Sequence, residues 1–415
     1  MPFSFEMKTE SPYIFYLSSG LKCVFSSVKA PVAYCALGVA AGSRMEPRRL
    51  HGLAHLTEHM IFKGTQRRSA FQINNRLERL GGELNAYTTK EELVAHATVL
   101  KEDLAKALEL LADIFFYPIF PAHELAKEKE VIADEISACR ESPSELIFDE
   151  FDQLLFDGHP LSAPILGARA SLSLVKSSDL FDFLSKYFVP SQMVLSVVAN
   201  ISERQMQRLA QRYFDLASFP FIAPPPFHGV LPPPFSIEKH RRTHQTHYLT
   251  GVRAYPYTNP KRIPLSLLIN LLGGPSPNAR LNLLLREKHG LVYNVEASYT
   301  PYSDLGVSGI YFGSDKGDWK RCTELIRIEL DKFCQTPLSY RQLQSAKKQL
   351  IGQLTISADN AEAKCLSQMK SVMVFGKVES HEQLADRIQA ITPQEIMEIS
   401  QELFAPEVMS TLLYI

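Results

Sequence analysis

The sequence has little of several features that would place it in a specialised class of proteins. Its six cysteines are scattered and form no C-x-x-C pair, which argues against a disulfide framework and against a zinc site built from thiolates. The 44 lysines and arginines nearly cancel the 45 aspartates and glutamates, so no charge excess points to nucleic-acid binding. No apolar run approaches the roughly 20 residues that a membrane-spanning helix needs. Residues 1–10 lack the pattern of a secretion signal, and we expect a cytoplasmic globular protein.

A chain of 415 residues, of which 45% are hydrophobic, is long enough for two domains with substantial cores. Along it, the alternation typical of strands gives way repeatedly to the three-to-four spacing of helices, which predicts mixed helix and sheet. In the first half we predict short strands within 13–40, helices near 50–63, 70–80, 102–117, 121–139 and 177–187, and a strand at 193–198. In the second half we predict a strand at 246–254, helices near 263–272 and 279–289, strands within 292–313, four or five helices within 315–403, and a closing strand at 410–415.

A proline-rich stretch separates the two halves. Seven prolines fall between Phe219 and Ser236, a density that neither a helix nor a central strand accommodates. We therefore predict a first domain at 1–218, an extended linker at 219–236 and a second domain at 237–415.

The two halves look like copies of each other. A shift of 213 positions without a gap superposes Gly38-Val39 on Gly251-Val252 and Pro47 on Pro260, each just ahead of a predicted helix. In the same register His55, Glu58 and His59 fall on Leu268, Leu271 and Leu272. One copy thus carries polar side chains where the other carries only core residues.

The sharpest motif is His55-Leu56-Thr57-Glu58-His59. On a helix, with about 100° between successive residues, the two histidines and Glu58 project from one face. Two imidazoles one turn apart can hold a Zn²⁺ ion, a catalytic zinc keeps one position open for water, and a neighbouring carboxylate can take the proton of that water. The glutamate precedes the second histidine, which is the inverted order of the better-known zinc helix. The alternative is two partly exposed histidines beside a solvated glutamate.

A third protein ligand is needed, and a second, acidic helix offers candidates. Glu128 and Glu135 are seven positions apart, about two helical turns, and therefore share a face. A charge-rich helix is usually just solvated, so the residues alone leave the third ligand open. The candidates are Glu124, Glu128, Glu130, Asp134 and Glu135.

The run from His51 to Thr65 resembles the signature of the pitrilysin/insulinase metallopeptidases, particularly the mitochondrial processing peptidase branch and its bacterial relatives. In that family the third zinc ligand is a glutamate 76 positions beyond the second histidine, which is the distance from His59 to Glu135. The resemblance implies that His55, His59 and Glu135 hold one Zn²⁺ per chain and that Glu58 is the general base. It also implies that Glu128 orients a ligand or shapes the site.

Two further stretches resemble parts of that family. The segment Leu80–Thr88 is similar to an edge strand on which a peptide lies as an added strand, and this implies that Gly82, Asn85, Ala86 and Tyr87 bind substrate. In the second half, Arg286 and Tyr293 match an Arg and Tyr seven positions apart that reach the substrate beside the metal. Without the resemblance, these two would be a surface arginine and a half-buried strand tyrosine.

The resemblance covers nearly the whole chain and implies an α+β fold of two similar domains, each an antiparallel-rich sheet covered by helices. It implies a zinc endopeptidase that hydrolyses peptides or unfolded segments. It also implies a homodimer, or a heterodimer with a related chain, in which Arg286 and Tyr293 of one chain complete the site of the other. The alternatives are a non-catalytic structural or partner subunit of a peptidase-like complex, and an enzyme that uses the same site on another bond.

Overall fold

The computed structural model describes residues 11–216, 220–223 and 226–415. Groups of strands are followed by groups of helices in both halves of the chain. The strands are β1 Tyr13–Tyr16, β2 Lys22–Ser27, β3 Val32–Val39, β4 Glu83–Thr88, β5 Leu93–Leu100, β6 Met193–Ala199, β7 Ser236–Lys239, β8 Thr246–Ala254, β9 Val292–Pro301, β10 Gly306–Ser314 and β11 Ser410–Tyr414. The helices are α1 Leu53–Ile61, α2 Ala70–Glu78, α3 Leu104–Phe116, α4 Ala122–Glu141, α5 Pro143–Leu155, α6 Arg169–Leu174, α7 Ser177–Tyr187, α8 Glu203–Phe214, α9 Arg262–Gly273, α10 Trp319–Gln335, α11 Tyr340–Asp359, α12 Ala361–Phe375, α13 His381–Ala390 and α14 Pro393–Leu403.

The strands form two sheets of similar topology. The six-stranded sheet has the order β1-β2-β6-β3-β5-β4, and the five-stranded sheet has the order β7-β11-β8-β10-β9. Neighbouring strands are antiparallel except for one parallel pair in each sheet, β2 with β6 and β7 with β11. The fold therefore consists of two similar α+β domains, each with an antiparallel-rich sheet covered by helices, as predicted.

The register of the two edge hairpins supports an internal duplication. In the first sheet Glu83 of β4 pairs with Thr98 of β5. The residues 213 positions further on, Glu296 of β9 and Tyr311 of β10, also pair with each other. Because a slip of one residue would exchange the two faces of a strand, a shared register means that the two hairpins present corresponding positions on corresponding faces.

The chain forms two compact units, and neither is continuous in sequence. The first contains the described residues up to Ala133, those between Ile165 and Pro225, and Ser357–Ser380, and the second contains Asp134–Pro164, Pro226–Ile356 and His381–Ile415. The division by compactness thus differs from the predicted division at 218 and 237, because a segment of each half belongs to the unit of the other half. Ser218, Phe219, Pro224 and Pro225, at or within the predicted linker, lie outside the described residues.

The exchanged segments each carry one helix that covers a sheet. In the second unit α5 buries Ile147, Phe151 and Leu155 against Leu249 of β8 and Leu412 of β11. In the first unit α12 packs on β3 and β6 through residues that include Met369 and Val372. The two helices occupy corresponding places, since β3 and β6 are neighbours in one sheet as β8 and β11 are in the other.

Most predicted elements are confirmed to within a few residues, including five helices within 319–403. Helices α5, α6 and α8 and strands β5 and β7 were not predicted. The signal for α5 is nevertheless present, since Ile147, Phe151 and Leu155 recur every fourth residue behind Pro143 at the helix start. In the described part of the chain, no helix is both long and apolar enough to cross a membrane.

Candidate active site

Helix α1 has one buried apolar face and one polar face. The buried face consists of Leu53, Ala54, Leu56, Thr57, Met60 and Ile61. On the other face His55, Glu58 and His59 keep only 15%, 13% and 19% of their side-chain surface exposed. The helix packs beside the edge strand β4. The motif therefore lies in a half-buried position and is not a solvated surface patch.

The start of α1 is fixed by a buried carboxylate. Gly52, with φ of 96°, precedes the helix in the left-handed conformation that favours glycine. The Glu46 carboxylate accepts hydrogen bonds from the backbone N–H groups of Gly52 at 2.8 Å and Ala54 at 2.6 Å. These two donors are among those that a helix start leaves unpaired, so Glu46 holds the first turn in place. Burial raises the pKa of Glu46 above its ordinary value, against the effect of His51 and the two N–H groups.

Three potential metal ligands converge at this face. One ligand atom each of His55, His59 and Glu135 lie within 4.8 Å of one another. Glu135 stands on α4, the only one of the five acidic candidates to join the two histidines in this group. A tetrahedral zinc ion holds its ligand atoms about 3.3 Å apart, and two imidazoles with one carboxylate are a donor set of catalytic zinc sites. The residues present therefore fit zinc both in chemistry and in approximate spacing.

The His55 imidazole is poised to stay neutral. Burial and, to a lesser extent, the neighbouring His59 lower the pKa of His55 from 6.5 to about 4. The two rings lie with their centroids 4.7 Å apart. A neutral imidazole is the form that can donate a lone pair to a metal. At neutral pH this environment therefore favours the metal-binding form of His55.

The Glu128 carboxylate joins His59 to a lysine. One oxygen, Oε2, lies 2.9 Å from His59 Nδ1, and the other, Oε1, lies 2.7 Å from Lys63 Nζ. Only 7% of the Glu128 side chain is exposed. Glu128 thus contacts a candidate ligand, in line with its predicted supporting role. The contact of Lys63 with Glu128 was not predicted.

A threonine at the end of β4 holds the Glu58 carboxylate. Thr88 Oγ1 donates a hydrogen bond of 2.6 Å to Glu58 Oε2. This oxygen of Glu58 also lies 3.9 Å from His55 Nδ1. Thr88 was not predicted as a site residue, although it ends the strand that was singled out. Glu58 therefore lies beside a candidate ligand and is tied to the edge strand.

Four predicted substrate-binding residues lie on or next to β4, an edge strand of the six-stranded sheet. Gly82 directly precedes the strand, and a Cβ at this position would lie 2.8 Å from the Val99 side chain and 2.9 Å from the carbonyl oxygen of Thr98. Asn85 pairs with His96 and Ala86 with Ala95 of β5. Burial raises the pKa of Tyr87 to about 12, so this phenol stays protonated at neutral pH.

The other predicted pair lies in the second unit. Arg286 belongs to a π-helical segment at Asn282–Lys288, and its side chain is 53% exposed. Tyr293 stands on β9, an edge strand, with 84% of its surface exposed. A tyrosine this exposed offers a large apolar face and a hydroxyl to a ligand.

The second half has no comparable polar face at the corresponding helix. In α9 Leu268 and Leu272 are fully buried, and Leu271 packs against the same core. The predicted contrast between the halves is therefore confirmed for these three positions. The polar cluster belongs to α1 alone of the two helices.

Two family models match the chain. The model described as "Insulinase (Peptidase family M16)" matches residues 23–169, which include the α1 cluster and Glu135. The model described as "Peptidase M16 inactive domain" matches residues 175–350.

Proteins of similar sequence are named zinc proteases. "Uncharacterized zinc protease YmxG" of Bacillus subtilis is 30% identical over 372 residues, which cover 89% of this chain and 90% of that protein. An "Uncharacterized zinc protease" of Rickettsia felis is 31% identical over 373 residues, which cover 89% of this chain and 86% of that protein.

Two solved structures share the fold over almost the whole chain. A protease from Helicobacter pylori superposes with a TM-score of 0.89 at 19% identity, covering 97% of this chain and 99% of that one. A structure from Pseudomonas fluorescens, described as a peptidase M16 inactive domain, gives a TM-score of 0.89 at 22% identity, with 97% of both chains covered. At these identities the likeness shows the fold alone.

Proposed function

Because this chain belongs to the insulinase family of peptidases, peptidase family M16, we propose that it is a zinc-dependent endopeptidase that cleaves peptides or unfolded protein segments. Family membership and the names of its relatives support zinc as the cofactor and peptide hydrolysis as the reaction. The proposal concerns which residues perform that reaction, how the substrate is held and how chains associate.

The convergence of His55, His59 and Glu135 within 4.8 Å is the observation that carries the proposal. These residues would hold one zinc ion per chain in the inverted H-x-x-E-H arrangement. When bound, zinc supplies a Lewis acid that polarises the peptide carbonyl and makes water more acidic. The two histidines that would hold it are half-buried on α1, which limits access of water and would strengthen electrostatic interactions there.

Glu58 is the proposed general base. Its carboxylate lies on the same face of α1 as the two histidines and is oriented by the hydroxyl of Thr88. It accepts a proton from the attacking water and later delivers it to the leaving nitrogen of the substrate. One carboxylate can serve both steps, because the proton that it accepts from water in the first step is the proton that it donates in the second.

The substrate is proposed to bind as an additional strand on β4. An edge strand presents unpaired main-chain groups, which an extended peptide can satisfy by hydrogen bonds while its side chains enter adjacent pockets. Gly82, Asn85, Ala86 and Tyr87 are the proposed contacts. A peptide or an unfolded segment can adopt this conformation, whereas a stable folded domain has no free extended segment to offer.

The deciding experiment compares Glu58→Gln with a control, Glu203→Gln, which changes an exposed glutamate in α8. We expect Glu58→Gln to retain zinc and to lose cleavage of a quenched fluorescent peptide by at least about 100-fold, the usual contribution of a general base. Glu203→Gln should match the wild type. Substantial turnover by zinc-loaded Glu58→Gln would remove Glu58 as the base. A zinc-loaded wild type that cleaves no peptide in a broad library would favour the non-catalytic subunit instead.

Arg286 and Tyr293 are proposed to bind substrate in a homodimer that resembles the processing peptidases. The 84% exposure of Tyr293 supports a contact with a partner or ligand. In a symmetric dimer, each site would use His55, Glu58, His59 and Glu135 of one chain with Arg286 and Tyr293 of the other. A heterodimer with a related chain would replace one copy.

Complementation tests the shared site. Inactive Glu58→Gln protein is mixed with inactive Tyr293→Phe protein under conditions in which subunits exchange. Mixed dimers would contain one intact site, so activity should return to at most half of the wild-type value. No recovery after demonstrated exchange would mean that each chain completes its own site.

The cytoplasmic location stays a prediction from the sequence.

A further inference from the structure

Lys63 directly follows the helix end that carries His59, and its ammonium group contacts the carboxylate that contacts His59. Lys63 Nζ lies 2.7 Å from Glu128 Oε1, while His59 Nδ1 lies 2.9 Å from Glu128 Oε2. The two oxygens of one buried carboxylate are therefore held by two different side chains. We propose that Lys63 is a positioning residue that acts through Glu128 to raise the zinc affinity of the site, an inference that rests on the proposed function.

The chemistry of the bridge determines which nitrogen of His59 faces the metal. An ionised carboxylate only accepts hydrogen bonds, so His59 must donate from Nδ1, and its lone pair is then on Nε2. A hydrogen bond of this kind, from the second ring nitrogen to a carboxylate, fixes the tautomer and ring orientation of metal-binding histidines. A carboxylate held at one oxygen only can rotate about its terminal bond. The Lys63 contact at the other oxygen removes that freedom.

The backbone around Lys63 is itself anchored. Its N–H donates to the carbonyl of Met60 at 3.1 Å, which continues the last turn of α1. The next residue, Gly64, accepts a hydrogen bond from Ile119 N–H at 2.9 Å, just ahead of α4. Lys63 thus starts from a fixed point, and its side chain, 25% exposed, reaches a fixed acceptor.

The same contact links the two helices that supply the metal ligands. His55 and His59 stand on α1, whereas Glu135 stands on α4, two turns beyond Glu128 on the same face. The Lys63–Glu128 pair therefore joins the segment that follows α1 to α4, directly beside His59, one of the three candidate ligands. Without the pair, the distance between the histidines and Glu135 should vary more in the metal-free protein. Zinc binding would then have to restrict that variation, which lowers the zinc affinity.

The test measures zinc affinity rather than activity. Metal-free full-length protein is titrated with Zn²⁺ in competition with a chromophoric chelator. The variants are Lys63→Met, which keeps the aliphatic stem without the charge, and Lys63→Arg, which keeps the charge. The matched control is Lys106→Met, because Lys106 of α3, a helix that carries none of the candidate ligands, forms a similar 2.6 Å ion pair with Asp103, the residue directly before that helix.

We expect Lys63→Met to weaken zinc binding by about tenfold, the lower end of the effect of supporting residues around metal ligands. Lys63→Arg should recover most of the affinity, and Lys106→Met should equal the wild type. The visible spectrum of Co²⁺-loaded Lys63→Met should also differ from that of the wild type, because the d–d bands of Co²⁺ depend on the arrangement of its ligands. If Lys63→Met does not fold, Lys63→Gln replaces it, with a smaller loss expected because the amide keeps one donor.

Suppose that the wild type binds zinc tightly and that Lys63→Met has the same zinc affinity and the same cobalt spectrum. This result would overturn the inference about Lys63 and leave the proposed function standing. An equal loss in Lys106→Met would also overturn it, since the effect would then be general. A wild type that binds no zinc would overturn the proposed function, and this inference with it.

Discussion

Helices α1 and α9 lie at corresponding points of two similar domains, yet one presents a polar cluster and the other a leucine core. In α1, His55, Glu58 and His59 line a polar, half-buried face, whereas Leu268 and Leu272 of α9 are fully buried. The same fold thus carries a polar cluster at one of these positions and core residues at the other, and we infer that function depends on a few substituted side chains.

The largest effects are expected from substitutions within the two helices themselves. His55→Ala should abolish zinc binding and peptide cleavage but have a modest effect on folding of the metal-free protein. Leu268→Ala should retain the metal and lower the free energy of unfolding by about 2–5 kcal/mol, because it leaves a cavity in the core. Elemental analysis and urea unfolding of both variants check this. Tight zinc binding by His55→Ala would break the comparison.

His55 in α1 should make the stability of the protein depend on pH, whereas the leucine at the corresponding position of α9 should not. The pKa of His55 is about 4 in the folded protein against 6.5 for an ordinary histidine. Well above pH 6.5 the group is neutral in both states and does not make stability depend on pH. As the pH falls from 6.5 to 4 the unfolded state takes up the proton first, so metal-free protein loses up to about 3 kcal/mol of stability.

The control for this prediction is His55→Leu, which gives α1 the residue found in α9. Its unfolding free energy, measured by urea titration at several pH values, should fall less steeply over this interval than that of metal-free wild type. Equal slopes for the two proteins would show that burial of His55 has no such effect.

The two helix starts differ as well, with a smaller expected effect. Gly52 precedes α1 with φ of 96°, and a Cβ there would lie 2.7 Å from the carbonyl oxygen of Leu166. Gly52→Ala should therefore cost about 2 kcal/mol of stability from conformational strain and the close contact. Lys261 precedes α9 with φ of −67°, and Lys261→Ala should cost far less. Thermal unfolding of both variants checks the difference, and equal losses would contradict it.

The smallest effect is expected at the edge strands. Thr88→Val removes the hydroxyl that donates to Glu58 while keeping the shape of the side chain. We expect kcat to fall about tenfold through misplacement of the base, with little change in KM or in zinc content. Thr300→Val, an exposed position on the edge strand β9 of the other sheet, is the control. A change in KM alone would assign Thr88 to substrate binding instead.

The sequence predicts the fold well where local pattern decides the structure. The helical spacing of His55, Glu58 and His59 placed them on one face, and the distance from His59 to Glu135, taken with the family resemblance, selected the acid that the structure brings to them. Local pattern could not reveal the exchange of α5 and α12. Helix α5 has a clear apolar face, whereas α12 has only a weak one, and neither pattern says which sheet the helix will cover.

The site residues that the sequence did not predict were missed for one physical reason. Glu46, Lys63 and Thr88 act through contacts with side chains or backbone on other elements or turns, and a single sequence carries no signal for such pairs. Lys63 and Thr88 each look like ordinary surface residues next to a motif. Their contacts with Glu128 and Glu58 exist only once α1, α4 and β4 are packed together.

Anomalous diffraction at the zinc absorption edge, from crystals of the zinc-loaded wild type, tests the central claim most directly. The account predicts one anomalous peak per chain, about 2.0–2.2 Å from a ring nitrogen of His55, a ring nitrogen of His59 and a carboxylate oxygen of Glu135, with none near Leu268 and Leu272. A peak coordinated by a different acid, a second peak of equal height beside α9, or no peak at α1 would contradict it.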